Sequence, residues 1–196
     1  MNTLDEEILK IKEYGILNKV PIIKDDGLLC LEETILKNNV RNILEIGTAI
    51  GYSAICMAKL DPNIHITTIE RNKDMYDLAL ENIKKTNLED RIEVVFMDAL
   101  EYETEKKFDL IFIDAAKAQY TKFFNKFEGL LDSKGIVFSD NLAFHGLVKN
   151  PVDLSKNLRG LIRKINEYRS FLLSLDNYFT EIYDNIGDGV SISIKK

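Results

Sequence analysis

Asp114, Lys117, Asp140 and Asn141 are the residues of this sequence best suited to do chemistry together. Asp114 closes the apolar run "IFID" and Lys117 follows three residues later. Asp140 and Asn141 close the next apolar run, "GIVFSDN". If the two runs are neighbouring strands, three hard oxygen donors meet at one rim. Mg²⁺ favours such oxygens and keeps positions open for water and substrate. Lys117, in the first turn of a helix, would face the same rim. The plainer alternative is that Asp114 and Asp140 only cap strand-to-helix turns. Finding D-x-x-K and D-N at successive strand ends favours the chemical reading.

A second set lies upstream. Glu45, Gly47 and Gly51 form E-x-G-x-x-x-G in "ILEIGTAIGYSA". The dinucleotide fingerprint is G-x-G-x-x-G, whose middle glycine lets the backbone approach a pyrophosphate. Ala49 stands in that place here, so the turn suits a nucleoside without a pyrophosphate. Glu70 ends the next β-run, 23 residues after Gly47, where a carboxylate can accept hydrogen bonds from both ribose hydroxyls. Asp98 and Ala99 end the third, where an adenine edge can be read. Glycine turn, ribose acid and adenine site, in that order, point to S-adenosylmethionine. The alternative is an ordinary glycine-rich turn with a solvated Glu70. A dehydrogenase would need the missing glycine and would not need the paired acids.

These residues must be positioned by elements, and the hydrophobic pattern supplies them. Residues 4–18 and 26–38 read as helices, with Asp25 or Asp26 as N-cap of the second. From residue 41 strands alternate with helices. Strands are expected at 42–46, 65–70, 91–96, 108–114 and 135–140, and helices at 52–60, 72–87, 116–131 and 153–173. Two last β-runs, "YFTEIYD" and "GVSISIKK", flank the hairpin signal "NIGDG". The expected fold class is α/β, one domain over 1–196, with residues 1–40 helical and 41–196 a sheet core. The sheet is doubly wound, mostly parallel and seven-stranded, with an antiparallel edge hairpin. Such sheets bind ligands outside the carboxyl ends of their strands, where the strand order reverses. Both residue sets fall there.

The chain of 196 residues is 45% hydrophobic and 30% charged, the profile of a soluble globular protein. No apolar run reaches the ~18 residues of a membrane span, and the acidic N-terminus has no signal-peptide core. Cys30 and Cys56, outside any CxxC, suggest buried reduced thiols and a cytoplasmic protein. The net charge of −6 excludes a broadly basic nucleic-acid coat. The distribution is uneven, however: residues 149–170 carry +4, leaving −10 for the remainder. In that window Lys156, Arg159 and Arg163 share a helix side away from Leu158, Leu161 and Ile165. They are candidates to grip RNA, although basic residues on a helix are more often simply solvated. Of the two histidines, His65 reads as structural and His145 as a loop residue near the rim. Tyr52 either covers the cofactor or packs.

The sequence resembles the cation-dependent class I O-methyltransferases, the family of catechol and caffeoyl-CoA O-methyltransferases. The likeness rests on "LEIGTAIGYSA", "TTIERN", "IFIDAAKAQY" and "SDN" and spans nearly the whole chain. It implies metal ligation by Asp114, Asp140 and Asn141, and cofactor contacts from Ile23, Gly47, Ser53, Glu70, Asp98, Ala99 and Asp114. It places Lys117 beside the reacting hydroxyl and implies a homodimer built with the N-terminal helices. Within the family the sequence is most similar to bacterial tRNA 5-hydroxyuridine methyltransferases, through "IDAAKAQYTKFF", "DNLAFHGLV" and "NLRGLIRKINEY".

The expected reaction moves a methyl group from S-adenosylmethionine to a hydroxyl oxygen, with Mg²⁺ or another divalent cation lowering the hydroxyl pKa. Lys117 either takes the proton or only positions the substrate. An acceptor with two vicinal oxygens fits, and both 5-hydroxyuridine in a tRNA anticodon loop and a small catechol qualify. A cofactor-binding module without activity predicts loss of a rim ligand, and none is lost.

Overall fold

The computed structural model describes residues 3–144, 146–148 and 155–196. Two helices come first, α1 (Leu4–Leu17) and α2 (Asp25–Lys37). Thr3 and Glu6 start α1 with a reciprocal capping box. Neither Asp25 nor Asp26 caps α2. Both lie inside its first turn, where negative charge suits the helix dipole, and Lys24 holds the cap position without a side-chain bond. The sheet follows as β1 (Asn42–Ile46), β2 (His65–Glu70), β3 (Ile92–Phe96), β4 (Phe108–Ile113), β5 (Leu131–Ser139), β6 (Tyr178–Tyr183) and β7 (Val190–Lys195). Helices α3 (Tyr52–Lys59), α4 (Lys73–Lys85), α5 (Tyr120–Phe127) and α6 (Lys156–Leu173) cross between them.

The strand order is β3-β2-β1-β4-β5-β7-β6. The first five strands are parallel, while β7 runs antiparallel to both β5 and β6. The seven-stranded doubly wound sheet is therefore as the sequence pattern requires. Its order reverses between β1 and β4, paired from Ile43↔Leu110 to Ile46↔Ile113. Central strands buried on both faces read as near-continuous apolar runs, as "NILEI" and "FDLIFI" do. One apolar cluster, with Leu31, Ile55 and Ile83, joins α2, α3 and α4 to one face. The other, with Phe123, Phe124, Ile165 and Tyr168, joins α5 and α6 to the opposite face.

Two expected helices differ at their ends. The segment expected as one helix over 116–131 is a 3₁₀ turn (Lys117–Gln119), then α5, then a second 3₁₀ turn (Glu128–Leu130). Helix α6 is described from Lys156, capped by Ser155; Lys149, Asp153 and Leu154 lie outside the described residues, as does His145. Cys56 is buried and Cys30 only partly so, both free. No helix among the described residues is long and apolar enough to cross a membrane.

Candidate active site

The reversal point of the sheet opens into a cavity of about 290 Å³. Its walls come from the turns after β1, β2, β3 and β4, and from the loop joining α1 to α2. Gly47 makes the crossing possible. Its φ is +103°, and a Cβ there would stand 2.1 Å from the Asp114 carbonyl oxygen. Only glycine allows the first turn to pass so close to the end of β4.

Ile23, Gly47, Ser53, Glu70, Asp98, Ala99, Asp114, Lys117 and Asn141 all line this cavity. Tyr52 also lines it while packing into the core. Glu70 accepts the Ala49 amide at 2.9 Å on one oxygen and the Asn72 amide at 2.7 Å on the other. Each oxygen thus keeps a lone pair for a further donor, which is what a diol requires. One Asp98 oxygen accepts the Leu100 amide at 2.9 Å, and the other lies 3.4 Å from the Arg71 guanidinium. Ile23 enters from the α1–α2 loop with Val20, Pro21 and Ile22, forming an apolar wall.

Glu45 is different. It was expected at the cofactor, but it is fully buried behind the turn and does not line the cavity. Ser53 Oγ donates to one of its oxygens and Thr68 Oγ1 to the other, both at 2.5 Å. Thr48 and Thr68 share a further hydroxyl bond at 2.6 Å. Glu45 thus fastens β1, β2 and the start of α3 from beneath. Burial pushes its carboxyl from 4.5 up to about 8, which the two hydroxyl bonds only partly oppose.

The second set converges as well. Asp114 and Asp140 end the neighbouring strands β4 and β5. Burial raises both carboxyls above their ordinary range; Asp114 raises Asp140 further, and Lys117 pulls both down. Asp140 is 2% exposed and stands behind the cavity wall. It accepts the Asn141 backbone amide at 2.7 Å. Asn141 takes a left-handed φ of 63°, which turns it into the cavity. Lys117 reaches the cavity from the 3₁₀ turn rather than from a helix, its ammonium 5.9 Å from the Phe144 ring centre.

The loop after β5 is held from two sides. Leu142 donates to the Gly189 carbonyl at 2.8 Å, and Ala143 to that of Asp188 at 2.7 Å. From α6, Arg169 donates to the Leu142 carbonyl at 3.1 Å while paired to Asp184 at 2.7 Å. Arg169 is therefore an internal strut and not part of a basic surface. Its signal was present, because it lies four residues after the buried Ile165. Lys156, Arg159 and Arg163 are exposed along α6, outside the cavity. Arg163 lies 3.6 Å from Glu167, which also binds Lys164 at 2.9 Å. Asp188, 5% exposed beside Asp140, was read only as part of a turn.

A doubly wound sheet of this order with a nucleoside-sized cavity at its switch point defines a class I methyltransferase. The O-methyltransferase family profile matches residues 3–196, and the chain belongs to that family. It is 30% identical over 191 residues to a caffeoyl-CoA O-methyltransferase of Populus kitakamiensis, covering 92% of this chain and 80% of that one. A provisionally named caffeoyl-CoA O-methyltransferase from Staphylococcus aureus superposes with TM-score 0.92 at 40% identity, over 96% of this chain and 92% of the other. An O-methyltransferase of Bacillus cereus, solved with S-adenosylhomocysteine, superposes at 0.82 with 25% identity, over 97% and 90%. The protein is thus an S-adenosylmethionine-dependent O-methyltransferase of the caffeoyl-CoA type.

The buried acid gives a direct test. Folded Glu45 holds its proton up to about pH 8, whereas in the unfolded chain it releases it near 4.5. Its contribution to stability is complete below 4.5 and is lost as pH rises toward 8. Glu45→Gln cannot lose that proton, and the rim acids are common to both proteins. Between pH 5 and 8, without cofactor, wild type should therefore fall relative to Glu45→Gln by up to about 1.4 kcal/mol per pH unit. Thermal melts read this at about 2–4 °C per kcal/mol. A gap that stays flat over that range would show Glu45 to be ionised in the fold.

Proposed function

We propose that this enzyme methylates a hydroxyl that has a second oxygen beside it, with a divalent cation held by Asp114, Asp140 and Asn141. The observation that carries the reading is a pair of carboxylates following neighbouring strands, Asp140 buried and Asp114 half-buried in the cavity wall, with the Asn141 amide beside Asp140 at 3.3 Å. No cluster of three His, Cys, Asp or Glu side chains suited to a metal occurs among the described residues. The donor set is two carboxylates and an amide, all hard oxygens, which fits Mg²⁺. Such a cation would acidify the acceptor hydroxyl and fix its orientation.

The chain's own residues do the rest. Glu70 accepts the ribose hydroxyls, and Asp98 with the Ala99 turn holds the adenine. Gly47, Ser53 and Ile23 enclose the remaining cofactor, and Asp114 faces both cofactor and acceptor. The carbon–oxygen bond forms as the carbon–sulfur bond breaks, leaving S-adenosylhomocysteine. Charge is neutralised in this transfer, so close approach and exclusion of water by Ile22, Ile23 and Tyr52 provide much of the rate. Lys117 stands where it can take the hydroxyl proton or hold the oxygen by charge.

For the acceptor we propose 5-hydroxyuridine in a tRNA anticodon loop. The exposed row Lys156, Arg159 and Arg163 supports this, since α6 is tied through Arg169 to the loop that follows Asn141. An unpaired anticodon base is already accessible to the rim. The second reading is a small catechol-like acceptor, favoured by the caffeoyl-CoA relatives and by the partial neutralisation of Arg163 by Glu167. We also propose a homodimer through α1 and α2, where Leu9, Ile16, Leu17, Leu29 and Leu36 are exposed.

Three measurements examine these readings. Chelation with EDTA should abolish transfer and Mg²⁺ restore it. Asp140→Ala should lower turnover about 100-fold or more, while S-adenosylhomocysteine binds it within about threefold of wild type, because the side chain is outside the cofactor cavity. Undiminished transfer after exhaustive chelation would make the rim acids purely structural. For the acceptor, Arg159→Ala with Arg163→Ala should flatten the salt dependence of tRNA binding by roughly 0.7–0.9 per lost phosphate contact. Methylation of tRNA should slow, and turnover of a catechol should not. If the double variant methylates hydroxyuridine-bearing tRNA normally, or if only catechols are methylated, the small-molecule reading stands. Light scattering should give a dimer for wild type and a monomer for Ile16→Asp with Leu17→Asp; a monomeric wild type ends the dimer proposal.

A further inference from the structure

The wall of the cofactor cavity contains one amide that the assignments above leave unused. Gln119 ends the 3₁₀ turn after β4 and lines the cavity. Its neighbour Tyr120 turns the other way, meeting Tyr168 of α6 at 5.3 Å between ring centres and donating to the Asp140 carbonyl at 3.0 Å. Phe123, in the first turn of α5, also lines the cavity. Phe123 packs in the same apolar cluster as Ala99, with Met97 against it. Helix α5, which begins just after Gln119, packs on the 3₁₀ turn Ala99–Glu101 that follows Asp98, and this puts Gln119 near the end of the cavity that carries Asp98 and Ala99. Its backbone amide donates to the Ala116 carbonyl at 2.8 Å, which fixes the turn. Its side-chain amide makes no hydrogen bond among the described residues.

A half-buried primary amide with no partner among the described residues has two donors and an acceptor free for a molecule bound in the cavity. The chemistry of that partner follows from the pairing it can make. A glutamine amide matches adenine in two places at once, donating to a ring nitrogen while its carbonyl accepts from the exocyclic amine. Asp98, which lines the same cavity, can only accept. Asp98 alone therefore recognises an amine, whereas Asp98 and Gln119 together recognise an amine next to a bare ring nitrogen.

We propose that Gln119 is the residue that reads the edge of the adenine base and sets the preference of the site for an adenosyl cofactor. The inference rests on the placement of adenine at Asp98 and Ala99. It gives the 3₁₀ turn two functions. At its first residue, Lys117, it serves the reacting hydroxyl, and at its last, Gln119, it serves the base of the methyl donor.

Calorimetry with S-adenosylhomocysteine and its 1-deaza and 7-deaza analogues, without acceptor, tests this on the full-length protein. Wild type should bind one of the two analogues about 5–20-fold more weakly than the parent compound. Gln119→Ala and the bulkier Gln119→Leu should both bind the parent 5–20-fold more weakly, and neither should discriminate against that analogue any longer. Their melting temperatures without ligand should equal that of wild type. Variants that bind the parent as wild type does, or that bind it weakly yet keep the same discrimination, overturn the proposal. Asp98→Ala separates the two levels. If it too leaves the affinity unchanged, the base does not lie at this end of the cavity. If it weakens binding while the Gln119 variants do not, the placement stands and Gln119 is not the reader.

Discussion

Everything functional in this protein depends on how closely two parallel strands can turn away from each other. β1 and β4 are hydrogen-bonded up to Ile46 and Ile113, and the chain then leaves in opposite directions above them. The Gly47 backbone passes against the Asp114 carbonyl at a distance that admits no side chain. That approach brings the cofactor turn and the first rim acid within reach of one bound molecule. A larger residue would push the turn after β1 away from the end of β4 and open the wall of the cavity.

Around this crossing, two kinds of support hold the site. Beneath the turn after β1 it is a buried acid with its hydroxyls: Glu45 and Thr68 are fully enclosed, while Thr48 and Ser53, nearly so, border the cavity. On the acceptor side it is backbone held from both faces of the sheet, by the β6–β7 turn and by Arg169. The α1–α2 loop joins the two, since Lys24 lies 3.6 Å from Asp188 while Ile22 and Ile23 line the cavity. Side chains whose partners are already fixed hold their geometry without reorganising, which is the basis of electrostatic preorganisation.

Much of this could be read from the chain alone, and the boundary between what could and could not is physical. Strands and helices were legible because hydrophobic periodicity is local. The positions of Gly47, Glu70, Asp98, Asp114 and Asn141 were legible because strand ends in a doubly wound sheet share one rim. The direction of a side chain on a strand buried on both faces was not: β1 has no polar alternation to show that Glu45 points into the protein. Asp188 escaped notice because its partners, Lys24 and the loop after Asn141, are remote in sequence. Gln119 was missed because it was taken for the interior of a longer helix. Arg169 entered only as one charge of the basic window at residues 149–170, although its spacing from Ile165 placed it inward.

The insertion of β7 between β5 and β6 has a consequence for synthesis. Strands β1 to β5 and most residues that line the cavity come before β6 and β7 in the chain. The amides of Leu142, Ala143 and Phe144, however, find their acceptors only on Asp188 and Gly189, at the start of the last strand. The segment after Asn141 and the residues that hold its backbone are thus made about 45 residues apart. The backbone after Asn141 therefore gains its partners only when the final hairpin is in place.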